Sequence, residues 1–341
     1  MRYAWANILL LVLVAAELVS GALGLVSGSS DQDYFILAHR IAGWGLVVLI
    51  AWKLANIVGS LRLPRSGGVR TGSLALLTLL IVTLTLGIAW SLVGPFSFWL
   101  LSGLSWHIYL GILLGVVLIW HLTKVAGVIP RAVWYERRSV LRLIGIGVAG
   151  ALLWRVAEAS AAIGGLSGAH RRFTGSYEAD SFTGNQFPQT SWLNDVPPGI
   201  AVGAWRLKVH GAVLRDLSIA YDDIISDDEL VATLDCTGGW HSTQVWRGAT
   251  LASILEAAGV RDDAASVTVR SATGYYRRFS LSEARGYLLA RSVGGEALSR
   301  GHGFPLRLAA PGKRGFEWVK WVVEVEVNTT SKWWQPPLPI R

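Results

Sequence analysis

The sequence predicts a multidomain chain: an N-terminal all-α transmembrane helix bundle followed by a C-terminal α+β domain. Three observations carry that expectation. The 341 residues are 52% hydrophobic and only 16% charged, where a soluble chain carries nearer a quarter charged residues. The apolar excess is confined to the first half, in runs long enough to cross a bilayer. From about Trp205 the periodicity changes, and RLKVHG, SVTVRS and WVKWVVEVEV alternate apolar and polar residues as half-buried strands do.

Four apolar runs, at residues 8–26, 35–58, 74–93 and 106–128, each suffice for a hydrocarbon core of about 30 Å. A fifth candidate, 143–154, is shorter and rich in glycine. Short loops rich in Lys and Arg stay cytoplasmic. The loop after the second run carries Arg62, Arg65 and Arg70, and the stretch after the fourth carries Lys124, Arg131, Arg137, Arg138 and Arg142. By contrast SGSSDQD is acidic and VGPFSFWLLSG uncharged, so the N-terminus is expected inside and the polar half outside. The same topology accounts for the formal net charge of +8 with membrane lipid as a partner and no nucleic acid.

Three of the seven histidines fall in these runs. His107 and His121 are fourteen positions apart, which on a helix puts them within about 40° of one face and about 21 Å apart along the axis. His39 and His107 both enter from the outer end, at one level. That spacing suits haems stacked across a membrane, with His39 and His107 clamping an outer one; the alternative is hydrogen-bonded bundle histidines. The pattern resembles the membrane cytochrome b and ferric-reductase-like families, in which two helices each offer a histidine pair at this separation. The resemblance implies haem b, with quinone or quinol as redox partner. Here the position fourteen after His39 is Lys53, which leaves His121 without its usual counterpart. Glu17, costly in lipid, is expected to pair with Lys53 or to serve a proton path.

The junction ERRSVLRLIGIGVAGALLW resembles a twin-arginine export signal through Arg137, Arg138, Val140, Leu141 and Arg142. That route carries folded proteins. The other reading is a basic cytoplasmic loop before a short helix. AEASA at 157–161 offers small residues like those of a cleavage site, yet the helix is expected to stay as an anchor. The expected segments are 1–130 for the four-helix haem b bundle, 131–163 for the twin-arginine-like segment and fifth helix, 164–200 for a linker wrapping onto the second domain, 201–328 for the α+β domain, and 329–341 for a Trp/Pro-rich tail.

The only cysteine, Cys236, lies in LDCTGGWHSTQVW, between an apparent strand and a Gly-Gly turn. A lone thiol builds neither an internal disulfide nor a multi-cysteine metal site. It is inert packing, a nucleophile or a single metal ligand. TLASILEAAGV and SLSEARG carry helical spacing beyond it.

LDCTGGW, VWRGATLASILEAAGV, ATGYYRRFSL and GHGFPLRLAAPGKRGFEWVKWVVEVEV, in that order, resemble the molybdopterin-binding domain of the sulfite oxidase family over roughly residues 200 to 328. The resemblance implies that Cys236 supplies a thiolate to molybdenum beside the dithiolene of the pterin, and that the enzyme is a molybdopterin-dependent oxidoreductase. It implies cofactor contacts at Thr237 and Gly238 in the turn, and at Lys313, Arg314 and Lys320, with Asn185, His302 and Arg307 as further candidates and His241 as an active-site group. Arg277 and Arg278 either line a substrate mouth or face water. Sulfite-oxidising members place arginines shortly after the cysteine, where this chain has Trp240 and His241. The resemblance therefore leans to the bacterial reductase branch, which takes oxygen from sulfoxide-type donors and partners a haem membrane protein. The expected location is the bacterial cytoplasmic membrane, with the C-terminal domain on its outer side. Competing expectations are a metal-free membrane cytochrome with an extracytoplasmic binding module, and a cysteine hydrolase using Cys236 and His241.

Overall fold

A computed structural model describes residues 4–60, 67–125, 137–192, 195–225 and 227–339. The chain divides into two units, Met1–Tyr177 and Glu178–Arg341. Arg62, Arg65 and Arg131 lie outside the described residues.

Among the described residues, five α-helices build the first unit: α1 (Ala4–Val26), α2 (Tyr34–Ser60), α3 (Gly67–Leu92), α4 (Gly103–Val125) and α5 (Arg137–Ile163). All five are long and apolar enough to cross a membrane. Leu9, Leu13, Leu46, Leu49, Leu80, Leu114 and Ile146 pack between them, while Ile119, Leu152 and Val156 remain more than 60% exposed. Apolar residues on both faces are what a helix bathed in lipid carries. α2 and α5 approach closely at Gly150, where a Cβ would stand 2.5 Å from Ile41 O, a small-residue contact of the kind that joins helices in bilayers.

Two expectations are corrected here. The fifth helix runs 27 residues, well beyond the apolar stretch 143–154. Its polar flanks stay helical because they find partners: Arg142 stacks over Trp5 at 4.7 Å and Glu158 pairs with Arg171. The small residues at 157–161 lie inside this continuous helix, with Ala161 buried. Glu17 does not pair with Lys53. Its Oε2 meets His39 Nδ1 at 2.9 Å, and Lys53 Nζ donates to Asn7 Oδ1 at 3.1 Å.

The second unit is a mixed α/β domain built on two sheets. One runs in the order Leu217–Ala220, Arg206–Gly211, Val322–Asn328, Ser266–Ser271, Tyr276–Ser280, antiparallel except where Val322–Asn328 pairs in parallel with Arg206–Gly211. The other centres on Trp240–Thr250, which pairs antiparallel with Asp228–Asp235 and with Leu288–Val293. Trp246, Leu255, Val269, Leu289 and Val325 fill one core. Both expected helices form. Leu251–Ala258 is capped by the Thr250 hydroxyl, which accepts from Ser253 N–H. Leu281–Ala284 starts in a capping box of Ser280 and Glu283.

The tail is strapped to this domain. Arg277, 3% exposed, donates to Pro336 O and Pro337 O, and Arg278 N–H donates to Gln335 Oε1. Arg277 therefore neither faces water nor lines an open mouth. Trp333 and Trp334 are 82% and 79% exposed.

Candidate active site

The strand Asp228–Asp235 ends at the cysteine, and the chain returns through a tight turn into Trp240–Thr250. Cys236 N–H donates to Trp240 O at 2.8 Å, and Gly239 N–H to Cys236 O at 3.2 Å. The turn needs glycine at Gly239, whose φ of 98° lies in the left-handed region. Thr237 sits half-buried within it. Gly238 N–H donates to Cys236 Sγ at 3.3 Å, and the Thr190 hydroxyl adds a second hydrogen bond to the sulfur.

Burial pushes the Cys236 thiol up, against the Gly238 N–H, the Arg314 charge and Thr190, which favour the thiolate. A metal ion reverses that balance outright, because it replaces the proton. Among the described residues no cluster of three or more His, Cys, Asp or Glu can hold a metal. A metal at this sulfur takes its remaining ligands from a cofactor.

Arg314 braces the end of the cysteine strand. Its Nη1 bonds Asp235 Oδ1 at 2.7 Å with both side chains 2% exposed, and Nη2 reaches Cys236 O at 3.4 Å. A Cβ at Gly315 would stand 3.2 Å from Cys236 Cα, so the loop and the strand meet backbone to backbone.

Arg307 is the unusual group. It is 2% exposed, donates Nη1 to His302 O at 3.0 Å, lies over Trp246 and Trp318, and keeps Nε buried without a hydrogen-bond partner. Burial pushes its pKa down to about 9, and the Cys236 charge acts back. Lys320 joins it: Nζ donates to Thr190 O and Gly301 O at 2.9 and 2.8 Å. Burial, then the Arg307 charge, push Lys320 down to about 7, while Cys236 and Asp195 pull it up. A buried cation lacking a carboxylate is costly, and Arg307 is such a cation, whereas Lys320 is half-buried and has Asp195 in its field.

Other sequence candidates fall into different roles. The ring of His302 is wholly buried, with Nε2 donating to Phe187 O at 2.9 Å and Nδ1 facing Ser299 Oγ at 2.8 Å. Burial pushes it down to about 4, so it is neutral with both nitrogens engaged by the chain. Lys313 bonds Glu283 at 2.8 Å. The Asn185 side chain ties down the Glu296–Ser299 loop through Ala297 O and Ser299 N. His241 stands across the ladder from Asp235, with the Glu178 carboxylate as an electrostatic neighbour. Thr237, Gly238 and Arg314 thus adjoin Cys236, Arg307 and Lys320 act on its sulfur through charge, and His302, Lys313 and Asn185 hold loops. Thr190 escaped sequence reasoning, since a lone threonine in a polar stretch carries no signal.

In the first unit, His39 and His107 bring their ring centroids to 5.9 Å with planes at 86°. His107 Nδ1 meets Thr83 O at 2.8 Å. His39 Nδ1 meets Glu17 O at 3.1 Å as well as the Glu17 carboxylate. A carbonyl only accepts, so each ring donates from Nδ1, and in the neutral ring Nε2 carries the lone pair.

A buried thiol at a strand end, with the buried and acid-free Arg307 acting on it, marks this turn as the candidate site of the C-terminal unit. Residues 194–334 match the family model described as "Oxidoreductase molybdopterin binding domain". An uncharacterized oxidoreductase of Bacillus subtilis, YuiH, is 31% identical over 133 residues, covering 38% of this chain and 67% of that protein. The chain belongs to this molybdopterin-binding oxidoreductase family. It is also similar to the NADH nitrate reductase of Spinacia oleracea, 31% identical over 164 residues. That match covers 37% of this chain and only 18% of the reductase. A solved structure, the sulfane dehydrogenase SoxCD of Paracoccus pantotrophus, aligns at 24% identity with a TM-score of 0.38, over 39% of this chain and 40% of that one.

Proposed function

We propose that the chain is a membrane-anchored molybdenum-cofactor oxidoreductase that transfers an oxygen atom to or from a small sulfoxide-like substrate and exchanges electrons with the quinone pool through haem b. The observation that carries this reading is the buried Cys236 thiol in the electrostatic field of Arg307, whose buried Nε has no hydrogen-bond partner. When bound, the molybdenum cofactor supplies two-electron oxygen-atom chemistry. Cys236 would hold its metal, since a soft thiolate suits such an ion. Arg307 and Lys320 would face its anionic groups, and the Asp235–Arg314 pair keeps the sulfur at the strand end. Phe187, Trp240, Trp192 and Phe316 form aromatic contacts around this region, which favours a neutral substrate over a charged oxyanion.

His39 and His107 would hold one haem b. Their free Nε2 atoms are the donor set it requires, and Gly21 and Gly87 leave room for the rings, since a Cβ there would come within 3.1 and 2.8 Å of an imidazole carbon. His121 stands apart, packed on Gly72, in the field of Lys53. The five apolar helices and the basic inner loops support a multi-pass bacterial membrane protein with its C-terminal domain outside, retained by α5 after twin-arginine-dependent export.

Anaerobic addition of a soluble quinol to detergent-purified full-length protein, followed by methyl sulfoxide, tests the reading in one cuvette. Quinol should bring up a reduced b-type band, and sulfoxide should then bleach it. A band that quinol fails to raise, or that sulfoxide leaves standing in cofactor-replete protein, contradicts the proposed electron route.

A further inference from the structure

A second cluster of arginines lies in the helical unit, around Glu158. Arg171 follows the turn Ser167–His170, and its side chain is 6% exposed. It donates to Ser91 O at 2.9 Å, Gly168 O at 2.6 Å and Glu158 Oε1 at 2.5 Å, and its Nε is buried without a hydrogen-bond partner. Arg40 and Arg155 approach the same carboxylate more loosely, each at 3.7 Å, and Arg40 also donates to Phe173 O. The exposed Asp33 is the other acid acting on Arg40. The three guanidinium groups line a cavity of about 330 Å³, with Ala159, Ala162 and Ala169 contributing little bulk.

Glu158 and the exposed Asp33 together carry less charge than the three guanidinium groups, so the cluster keeps a net positive charge. The cavity lies near helix ends. Arg40 is in the second turn of α2, Glu158 is five residues before the end of α5, and Ser91 is next to the last residue of α3. In a bilayer crossed by these helices that is headgroup depth. Below it α5 presents an apolar strip, with Val148, Leu152 and Val156 at 56%, 62% and 62% exposure.

We infer that this cavity binds the phosphate of an anionic phospholipid, whose acyl chains lie along the exposed face of α5. The inference rests on the membrane reading above. Guanidinium forks match phosphate oxygens geometrically and electrostatically, and the adjoining apolar strip favours a lipid over a free ion.

The test uses the full chain in neutral detergent, with native mass spectrometry during titration by phosphatidylglycerol, phosphatidylcholine or inorganic phosphate. Wild type should retain phosphatidylglycerol in preference to phosphatidylcholine. Arg155→Gln, at an exposed position, and Arg40→Gln should each weaken that retention by about tenfold, the scale of one lost charge-assisted hydrogen bond. Equal retention of both lipids, variants indistinguishable from wild type, or displacement of the lipid by millimolar phosphate would each overturn the inference. Carbonate-washed membranes separate it from the reading beneath: a chain that stays in the membrane yet shows no lipid preference sinks this inference alone, whereas release of the wild type sinks the membrane reading.

Discussion

Replacing Cys236 with serine should abolish sulfoxide turnover driven by a reduced dye while leaving the domain folded. The loss should exceed the roughly 10–100-fold typical of a changed outer-shell partner of a metal, because the substitution removes the protein's own ligand. The fold should survive. Serine is smaller than cysteine, its hydroxyl can accept from Gly238 N–H as the sulfur does, and the Asp235–Arg314 clamp does not involve the sulfur. Thermal melting read beside turnover separates the two effects. An unchanged melt with lost activity is the expected pair, and activity within a few-fold of wild type would remove the cysteine from the chemistry.

Replacing His107 with alanine should erase the reduced-minus-oxidised b-type spectrum and with it quinol-driven turnover, while dye-driven turnover at the C-terminal domain persists. The reasoning is local. His107 and His39 face each other at 5.9 Å, each with Nδ1 committed to a carbonyl, so neither ring can turn to serve in place of the other. A visible spectrum of the variant in detergent, with the two activities measured on the same sample, checks this. A haem band that survives the substitution would mean that other residues hold the haem, or that these rings pack the bundle.

The helices were legible because lipid demands long apolar runs, and a run survives any tertiary context. Their ends were not. α5 outlasts its apolar stretch because Arg142 and Glu158 find partners on other segments, which no one-dimensional pattern reveals. The partner of Glu17 was open to simple counting. With 1.5 Å per residue from the outer ends of α1 and α2, Glu17 lies about 13 Å deep, His39 about 8 Å and Lys53 about 28 Å. Depth judged from the middle of the run pointed to the wrong cation.

In the C-terminal unit the position of Cys236 and the presence of nearby basic residues could be read from the sequence. Which basic residue does what could not. Lys313 and Arg314 are neighbours in the chain, yet one pairs with Glu283 and the other with Asp235. Arg307 matters because it lacks an acid partner, a property of the packed interior rather than of the motif around it. The aromatic rings over Arg307 belong to Trp246 and Trp318, which are distant from it or from each other in sequence and meet only in the core.

The central claim is that the sulfur of Cys236 binds molybdenum. Molybdenum-edge X-ray absorption on the full-length protein, purified from cells able to make the cofactor, tests it most directly when wild type and Cys236→Ser are compared. The account predicts stoichiometric metal in the wild type and one fewer sulfur scatterer in the variant. Absence of molybdenum from the wild type, or identical sulfur shells in the two proteins, would contradict it.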